Sequence, residues 1–281
     1  MADPRVTSLN HRLRNAAEAS GLAPERVRNR LVFQRILARL SADERWVLKG
    51  GFALEIRLGL DARATKDLDV LRWGDANLSA MTLQDLLDEA LDVDLGDGFT
   101  FVVRVPKPVR VEDVLPDTWR VVVDAYAHGS RFAEAVMDVI TRAEAPVEAP
   151  EVMLVPAILD EPPVHIAVVD IHRQAAEKFH AYTRLYAHER PSSRVKDLVD
   201  LALLIETELL ETGPLGRALR GVFAERDDAP PPTELPQPPG EWVAPFARLA
   251  DDTSLPPMTS TDAWRLTSDL YTRALNHQEE P

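Results

Sequence analysis

The sequence predicts an α+β protein, with helices near the N-terminus, strands in the middle and helices again towards the C-terminus. Apolar residues recur at roughly helical spacing in residues 24–40. Residues 99–140 are rich in valine and aromatic residues and are punctuated by Pro, Gly and Asp, which is typical of strands and turns. From Arg173 onward the apolar pattern is helical again. We therefore predict N-terminal helices over 1–45, an α/β core over 46–170 and a helical domain over 171–281.

The elements follow in chain order from apolar periodicity and from the turn residues between them. Valine and aromatic runs predict short strands at 45–48, 67–72, 99–105, 119–125, 132–140 and 166–169. Helical spacing predicts helices at 24–40, 51–58, 82–91, 175–186, 194–211, 242–250 and 261–276, and a Ser or Thr is expected to cap the helix at 82–91. Residues 144–165 are proline-rich and are expected to be mostly irregular. Residues 229–239 resemble polyproline and are interpreted as a surface connector, with a spacer or a partner site as alternatives.

Composition limits the class of protein. The chain has 281 residues, a net charge of −14 and no cysteine. Disulfides and thiolate metal sites are thereby excluded, and a reducing cytoplasm is the expected compartment. We find no signal peptide, and no run approaches the roughly 18 apolar residues of a membrane span. A chain this acidic is not expected to bind nucleic acid through general counterion release.

The basic residues are concentrated at one end of the chain. Residues 1–40 contain eight arginines, of which Arg28, Arg35 and Arg39 fall on one side of the predicted helix. A solvated helix face is the favoured interpretation. The alternative is a stripe that contacts the phosphates of an RNA or DNA partner.

Two short motifs carry the chemistry. Gly50 and Gly51 open a predicted helix, where close backbone approach and free N–H groups suit a phosphate. Asp67 and Asp69 follow on a predicted strand, where residues two apart point to the same face. Mg²⁺ prefers carboxylate oxygens that it shares with substrate phosphates. Either motif alone is a weak signal, but their order and spacing predict nucleotidyl transfer.

Further charged residues are candidates for the same chemistry. A metal cluster of this kind usually needs a third carboxylate, and there are two candidates, Asp124 after three valines (VVVD) and Asp138 in VMDV. The residues alone leave the choice open. Asp197 and Asp200 share a helix face, and Lys178 lies on the preceding predicted helix. Lys178 suits a triphosphate, because a lysine is a point charge for phosphate oxygens. The alternative is that Lys178 and Glu177 are surface charges and that Asp197 and Asp200 pair with Arg194 and Lys196.

The chain resembles the AbiEii/AbiGii-type nucleotidyltransferase toxins, which include the MenT-like toxins of mycobacteria and belong to the DNA polymerase β-like superfamily. Four segments in the family's order carry the resemblance: residues 48–54 (LKGGFAL), 63–69 (RATKDLD), 176–181 (AEKFHA) and 194–204 (RVKDLVDLALL). The resemblance implies a nucleotidyltransferase-type mixed sheet flanked by helices and a helical C-terminal domain. It also implies Mg²⁺ dependence, an NTP substrate, an antitoxin from a neighbouring gene and transfer to the 3′ end of tRNA.

The resemblance also implies residue roles. Asp67 and Asp69 would bind the metal, and Lys178, with Asp197 and Asp200, would contact the nucleotide. Residues 119–139 look like the family's strand–turn–strand segment, whose aspartate matches Asp138, and this favours Asp138 as the third metal ligand. Thr65 and Lys66 in the second motif are predicted to contact the nucleotide as well. One Mg²⁺ would bridge the aspartate pair and the phosphates, and a second would activate the acceptor hydroxyl.

The sequence departs from the family pattern in two respects. Phe52 stands where the wider superfamily often has Ser or Thr, so phosphate contact there would depend on backbone N–H groups. The acidic composition suits a tRNA enzyme only if the N-terminal arginines join Arg184, Arg190, Arg194 and Lys196 in a local basic track. Two other functions stay open: nucleotidylation of a small molecule such as an aminoglycoside, or of a protein side chain, and nucleotide binding without turnover.

Overall fold

A computed structural model describes residues 3–109, 118–160, 162–184 and 194–277. The chain divides into two compact units. The first unit contains residues 1–57 and 64–169, and the second contains residues 58–63 and 170–281. Residues 58–63 thus belong to the second unit although the first unit flanks them in sequence. The predicted α+β class is confirmed, with a mixed sheet flanked by helices and a helical C-terminal part.

The first unit contains helices α1 (Pro4–Ser20), α2 (Pro24–Leu40), α3 (Gly50–Leu58) and α4 (Ala80–Leu91). The ends of these helices follow from their sequence. Asp3 caps α1 by accepting a hydrogen bond from the Arg5 backbone N–H. Proline occupies the first turn of both α1 and α2, where its missing N–H costs nothing. The predicted cap of α4 is Ser79, whose hydroxyl accepts from the Thr82 backbone N–H.

Eight strands of the described residues form one sheet in the order β3-β5-β6-β2-β1-β8-β7, with β4 paired to β5 outside this path. They are β1 (Trp46–Lys49), β2 (Asp67–Trp73), β3 (Phe99–Val103), β4 (Lys107–Pro108), β5 (Thr118–Ala127), β6 (Ser130–Arg142), β7 (Glu151–Val155) and β8 (Val164–Val168). The β1–β8 and β2–β6 pairs are parallel and the other pairs are antiparallel. Strand β2 therefore lies in the interior of the sheet, between β1 and β6.

Alternation along β2 separates the core from the candidate site. Leu68 and Val70 are buried in the main hydrophobic core, whereas Asp67 and Asp69 are only partly buried on the opposite face. Met137 and Val139 of β6 belong to the same core. Apolar side chains alternate with acids along β2, so one face of the strand is apolar and the other is acidic. This pattern fixes the register of the strand, because a slip of one residue would turn the acids into the core.

The second unit contains helices α5 (Ile171–Thr183), α6 (Val195–Glu206), α7 (Thr212–Asp227), α8 (Val243–Ala250) and α9 (Ser260–Asn276). Its core includes Phe179, Leu198, Leu219 and Tyr271, all fully or almost fully buried. Within the described residues, no helix combines the length and apolar character needed to cross a membrane.

The proline-rich segment is fastened to the helices of the second unit. The Tyr271 hydroxyl donates a hydrogen bond to the Pro232 carbonyl at 2.7 Å, and the Tyr182 hydroxyl donates to the Pro236 carbonyl at 2.8 Å. The Trp264 indole N–H donates to the Leu235 carbonyl at 3.3 Å, and the Leu235 side chain is buried. The segment is thus a connector held along the helices of its own unit.

The observed secondary structure differs from the prediction in four places. Residues 144–165, expected to be mostly irregular, contain strand β7. The helix predicted over 194–211 ends at Glu206, and Glu208 has a positive φ of 55° that no regular helix continues through. Helix α7 was not predicted. The helix predicted over 175–186 begins earlier, at Ile171, and is observed to Thr183; residues 185 and 186 lie outside the described part of the chain.

Candidate active site

Charged residues of four neighbouring strands lie side by side on one face of the sheet, and we call the three acids among them, Asp67, Asp69 and Asp138, the carboxylate row. Asp69 of β2 lies in register with Lys49 of β1 on one side and with Asp138 of β6 on the other. Asp138 is in turn in register with Arg120 of β5. Asp67 lies two residues before Asp69 on the same strand and hence on the same face. The sheet brings the predicted acids Asp67, Asp69 and Asp138 together because β2 and β6 are parallel neighbours.

Gly50 follows the last residue of β1 and is the first residue of α3. The Asp69 side chain fills the space that a side chain at position 50 would need. Its φ is +66°, a conformation that favours glycine. A Cβ at Gly50 would stand 1.9 Å from Oδ2 of Asp69 and 2.7 Å from its Cβ. The glycine therefore makes room for the carboxylate at the start of the helix.

Phe52, the departure from the family pattern, is a core residue. Its side chain is buried, and its ring packs edge-on against Phe33 with 5.2 Å between the ring centroids. The Phe52 side chain therefore offers no group to a phosphate, and the backbone N–H groups of the helix N-terminus are the donors that this turn has.

Asp138 is bound by Arg120. The guanidinium donates from Nε to Oδ1 at 2.8 Å and from Nη2 to Oδ2 at 2.7 Å, so both carboxylate oxygens accept a hydrogen bond. This bidentate contact, helped by the charges of Asp138, Asp67 and Asp69, raises the pKa of Arg120 above its ordinary value. Sequence reasoning missed Arg120, although it is the cation nearest to the third predicted metal ligand.

Asp124, the other candidate for the third carboxylate, lies elsewhere. It is in register with Glu134 and is four residues along β5 from Arg120. Arg104 holds it in a bidentate pair at 2.7 and 2.8 Å, and Arg131 adds a contact at 2.8 Å. Hydrogen bonds from Arg104 outweigh the effect of burial and lower the pKa of Asp124. Of the two candidates, only Asp138 is adjacent to Asp69.

The residues of the row suit a divalent ion in their chemistry. Carboxylate oxygens are the ligands that Mg²⁺ prefers, and Asp67 and Asp69 project from one face beside a third acid. As they stand, no three His, Asp or Glu side chains among the described residues are grouped closely enough to hold a metal ion. The carboxylates of Asp67 and Asp69 are of the type that such an ion prefers, whereas the Asp138 carboxylate already has the positive charge of Arg120 beside it.

A buried glutamate fixes the loop that leads into β2. Glu55 of α3 is 1% exposed and accepts a hydrogen bond from the Thr65 backbone N–H at 2.7 Å. Arg26 and Arg30 of α2 pair with it at 3.5 and 3.8 Å. The Thr65 hydroxyl donates to the Asp67 carbonyl at 3.2 Å. Burial raises the pKa of Glu55 despite these hydrogen bonds and charges. Lys66, the neighbouring predicted contact, has an exposed side chain.

The second unit contains a buried ion cluster. The Lys178 ammonium lies 2.6 Å from Asp200 and 3.3 Å from Asp197, and Arg63 holds Asp200 in a bidentate pair at 2.9 Å. Arg194 contacts Asp197 at 2.9 Å. Burial disfavours the charged forms, but mutual attraction outweighs it, so the pKa of Lys178 is raised and the pKa of Asp200 is lowered. The interpretation of Lys178 as a surface charge is wrong, because its side chain is buried. The predicted pairing of Asp197 with Arg194 is observed, whereas Asp200 pairs with Lys178 and Arg63.

The arginines of α2 form neither a solvated helix face nor a stripe that could contact the phosphates of a nucleic acid. Arg39 is buried and binds Asp97 in a bidentate pair at 2.9 and 3.0 Å, and Arg35 lies 3.7 Å from the same carboxylate. Arg28 packs over the Phe132 ring and donates to its carbonyl at 3.2 Å. These side chains hold the first unit together. Of the predicted C-terminal basic track, Arg190 lies outside the described residues.

Comparison with known proteins defines the class. Residues 31–278 match the family described as the nucleotidyl transferase AbiEii toxins of type IV toxin–antitoxin (TA) systems, and the chain belongs to that family. It is a nucleotidyltransferase toxin of a type IV TA system, which implies an antitoxin partner and an NTP substrate.

Two solved structures are similar to the chain. MenT4, a nucleotidyltransferase toxin from Mycobacterium tuberculosis H37Rv, is 20% identical, with a TM-score of 0.58, over 95% of this chain and 90% of that one. This likeness confirms the fold. A putative nucleotidyltransferase from H. pylori is 19% identical over 88% of this chain and 93% of that one, and its TM-score of 0.44 is too low to carry an argument. Comparison with the curated proteins finds no match.

Proposed function

We propose that this nucleotidyltransferase moves a nucleotide from an NTP to the 3′ end of a tRNA in the cytoplasm, with Mg²⁺ bound by Asp67 and Asp69. The family supplies the enzyme class. The observation that supports the metal site is the carboxylate row, in which Asp69 and Asp138 are neighbours across parallel strands and Asp67 shares their face. The tRNA acceptor follows from the resemblance of the four sequence motifs and is the part of the proposal that needs an experiment first.

The site residues of the first unit have different roles in this proposal. When bound, Mg²⁺ neutralises phosphate charge and lowers the pKa of an attacking hydroxyl. Asp67 and Asp69 hold the ion, and Gly50 keeps Asp69 in place at the start of α3. The N–H groups that follow Gly50 and Gly51 face the anionic phosphates. Lys66 is exposed and offers a cation, whereas the Thr65 backbone N–H is already committed to Glu55.

The roles of Lys178, Asp197 and Asp200 in nucleotide contact stay predictions. Lys178 has two carboxylate partners within 3.3 Å, so a phosphate contact would use the third N–H of its ammonium or replace one of these partners. Asp200 is held by both Lys178 and Arg63, which suits a residue that orients a lysine. Loss of nucleotide binding in Lys178→Met, with the fold retained, is the expected result.

The test is transfer of label from each of four α-labelled NTPs, with Mg²⁺ and total tRNA, by the full chain. A matched sample of tRNA with its 3′-terminal diol oxidised by periodate controls for the acceptor end. The variant Asp69→Asn keeps the shape of the side chain and removes its charge. Asp124→Asn is the matched control, because Asp124 lies on the same face of the same sheet but outside the carboxylate row.

We expect label in intact tRNA with the unaltered chain and with Asp124→Asn, and none in oxidised tRNA or with Asp69→Asn. Equal labelling of intact and oxidised tRNA would rule out the 3′ end as the acceptor. Full activity in Asp69→Asn would rule out the carboxylate row as the site. Growth arrest on expression that persists in Asp69→Asn would separate toxicity from transfer.

One observation favours a second acceptor class. The net charge is −14, and the α2 arginines that could have offset it locally are bound within the first unit. An acidic surface attracts a cationic small molecule such as an aminoglycoside. Label in such a compound, with none in tRNA, would support this alternative within the same enzyme class.

A further inference from the structure

We propose that Arg120 and a divalent ion compete for Asp138, so that the carboxylate row takes one ion at Asp67 and Asp69 and admits a second only when Arg120 is displaced. This inference rests on the metal site of the proposed function and adds to it a residue that controls how many ions the site holds. It concerns binding at equilibrium, before any nucleotide is present.

The first argument is occupancy of the oxygens. Both carboxylate oxygens of Asp138 accept hydrogen bonds from Arg120 at 2.7 and 2.8 Å. The guanidinium uses the lone pair of each oxygen that faces it, and a divalent ion coordinated by both oxygens would need those same two lone pairs. Coordination of that kind therefore requires Arg120 to leave, and an ion on the remaining lone pairs would place a second positive charge beside the guanidinium, which disfavours it.

The second argument is charge. Asp69 and Asp138 are in-register neighbours on adjacent strands, which lie only about 4.8 Å apart, so their carboxylates repel each other. A cation on the Asp138 side relieves this repulsion, and Arg120 also interacts favourably with Asp67 and Asp69. The Arg120 guanidinium thus offsets the negative charge beside Asp138, as a second divalent ion would if it were bound there.

The third argument is that the arginine can be displaced. The Arg120 side chain is 53% exposed, whereas that of Asp138 is 20% exposed. An ion pair in contact with water is a weak one, and breaking it costs little. Arg120 is therefore a replaceable partner, unlike Arg39, whose side chain is fully buried beside Asp97.

The same sheet offers a matched control. Arg131 has a 56% exposed side chain and binds Asp124, on the same sheet but away from the row. Arg131→Gln and Arg120→Gln remove the same charge from comparable exposed pairs. Only the second change alters the surroundings of Asp138.

The experiment is a titration of the full chain with Mn²⁺ in the absence of nucleotide, with free Mn²⁺ measured by electron paramagnetic resonance. The proteins are the unaltered chain, Arg120→Gln, Arg120→Lys, Arg131→Gln, Asp138→Asn and Asp69→Asn. Circular dichroism and thermal unfolding establish that each variant is folded. Arg120→Lys keeps the charge but loses the bidentate geometry, and it serves if the glutamine variant is unstable.

We expect one ion that depends on Asp69 in the unaltered chain and a second, weaker ion whose affinity rises roughly fivefold in Arg120→Gln. Arg120→Lys should fall between the two, Arg131→Gln should match the unaltered chain, and Asp138→Asn should lose the second ion. An unchanged titration in Arg120→Gln, or an equal gain in Arg131→Gln, would overturn this inference alone. Absence of any Asp69-dependent ion in every protein would overturn the proposed metal site together with it.

Discussion

Oδ2 of Asp69 lies 1.9 Å from the position that a Cβ on Gly50 would occupy. The first residue of α3 and the central acid of the sheet are therefore fitted to each other, although 19 positions separate 50 from 69 in the sequence. The glycine turn and the aspartate pair, two motifs that are each weak signals, are a single structural feature.

Gly50→Ala should slow transfer roughly 100-fold. The new methyl group would displace the Asp69 carboxylate, and misplacement of a catalytic group by about 1 Å costs roughly 100-fold in rate. Gly21→Ala is the control, because Gly21 has a φ of +67° but no atom within 4 Å of its Cβ position. Both variants should lose about 1–2 kcal/mol of stability from the positive φ. Transfer assays and thermal unfolding measure the two effects, and a fully active Gly50→Ala protein would contradict the proposed fit.

Glu55→Ala should destabilise the first unit by about 3 kcal/mol, because it leaves Arg26 and Arg30 without their buried partner. It should also speed hydrogen exchange at the Thr65 amide, whose acceptor is lost. Glu55→Gln retains an oxygen acceptor but not the charge. Compared with Glu55→Ala, it should therefore recover more of the slow exchange at the Thr65 amide than of the lost stability. Denaturant unfolding and amide exchange separate the two effects. Identical exchange at Thr65 in both variants would mean that Glu55 does not hold this loop.

Asp200→Asn should destabilise the second unit by about 3–5 kcal/mol at neutral pH, because Lys178 and Arg63 lose a buried counter-charge. The native pKa of Asp200 is lowered below its ordinary value of 3.8. Its contribution is therefore complete above that value and is lost as the pH falls through the native pKa.

The difference in unfolding free energy between the unaltered chain and Asp200→Asn should consequently shrink as the pH falls below about 4. Urea unfolding over a range of pH measures this difference. Asp269→Asn, on α9 with an exposed partner in Arg273, is the control and should change stability little at any pH. A difference between the proteins that grows on acidification would show that the sign is wrong.

Tyr271→Phe should lower the melting temperature by about 2 °C, since it removes one hydrogen bond worth about 1 kcal/mol and leaves the Pro232 carbonyl without that donor. Tyr182→Phe should behave alike through Pro236. Calorimetry on the two single variants and the double variant tests whether the proline-rich segment is held at both points. Melting temperatures equal to that of the unaltered chain would argue that the segment contributes nothing to stability.

The sequence was sufficient to predict the parts of the fold that obey a simple period. The apolar spacing of α2 and the alternation of Asp67, Leu68 and Asp69 gave the helix and the face of the strand correctly. Helix α7 was not predicted, because glycines such as Gly213 and Gly216 disfavour a helix in its first turns. Gly216 is in fact a packing residue, and a Cβ there would lie 2.2 Å from the Ala274 carbonyl oxygen of α9. That reason depends on a neighbour far along the chain.

The partner of Asp138 could not be predicted for a related reason. Strands β5 and β6 form a hairpin in which Ala127 pairs with Ser130 next to the turn. If that register continued unbroken along the strands, Arg120 would lie opposite Met137. An irregularity between Ala125 and Tyr126 shifts the pairing by one residue and places Arg120 opposite Asp138. No local sequence signal marks this shift, and a shift of one residue reverses the face of every side chain beyond it.

Residues 58–63 have a practical consequence for anyone who divides the chain. They belong to the second unit, where Arg63 binds Asp200 and the Asp61 carbonyl accepts from the Ser254 backbone N–H. A fragment cloned from residue 170 onward would omit both contacts and leave a buried carboxylate short of one cation. Expression of that fragment should yield poorly folded protein unless the missing hexapeptide is fused or supplied in trans.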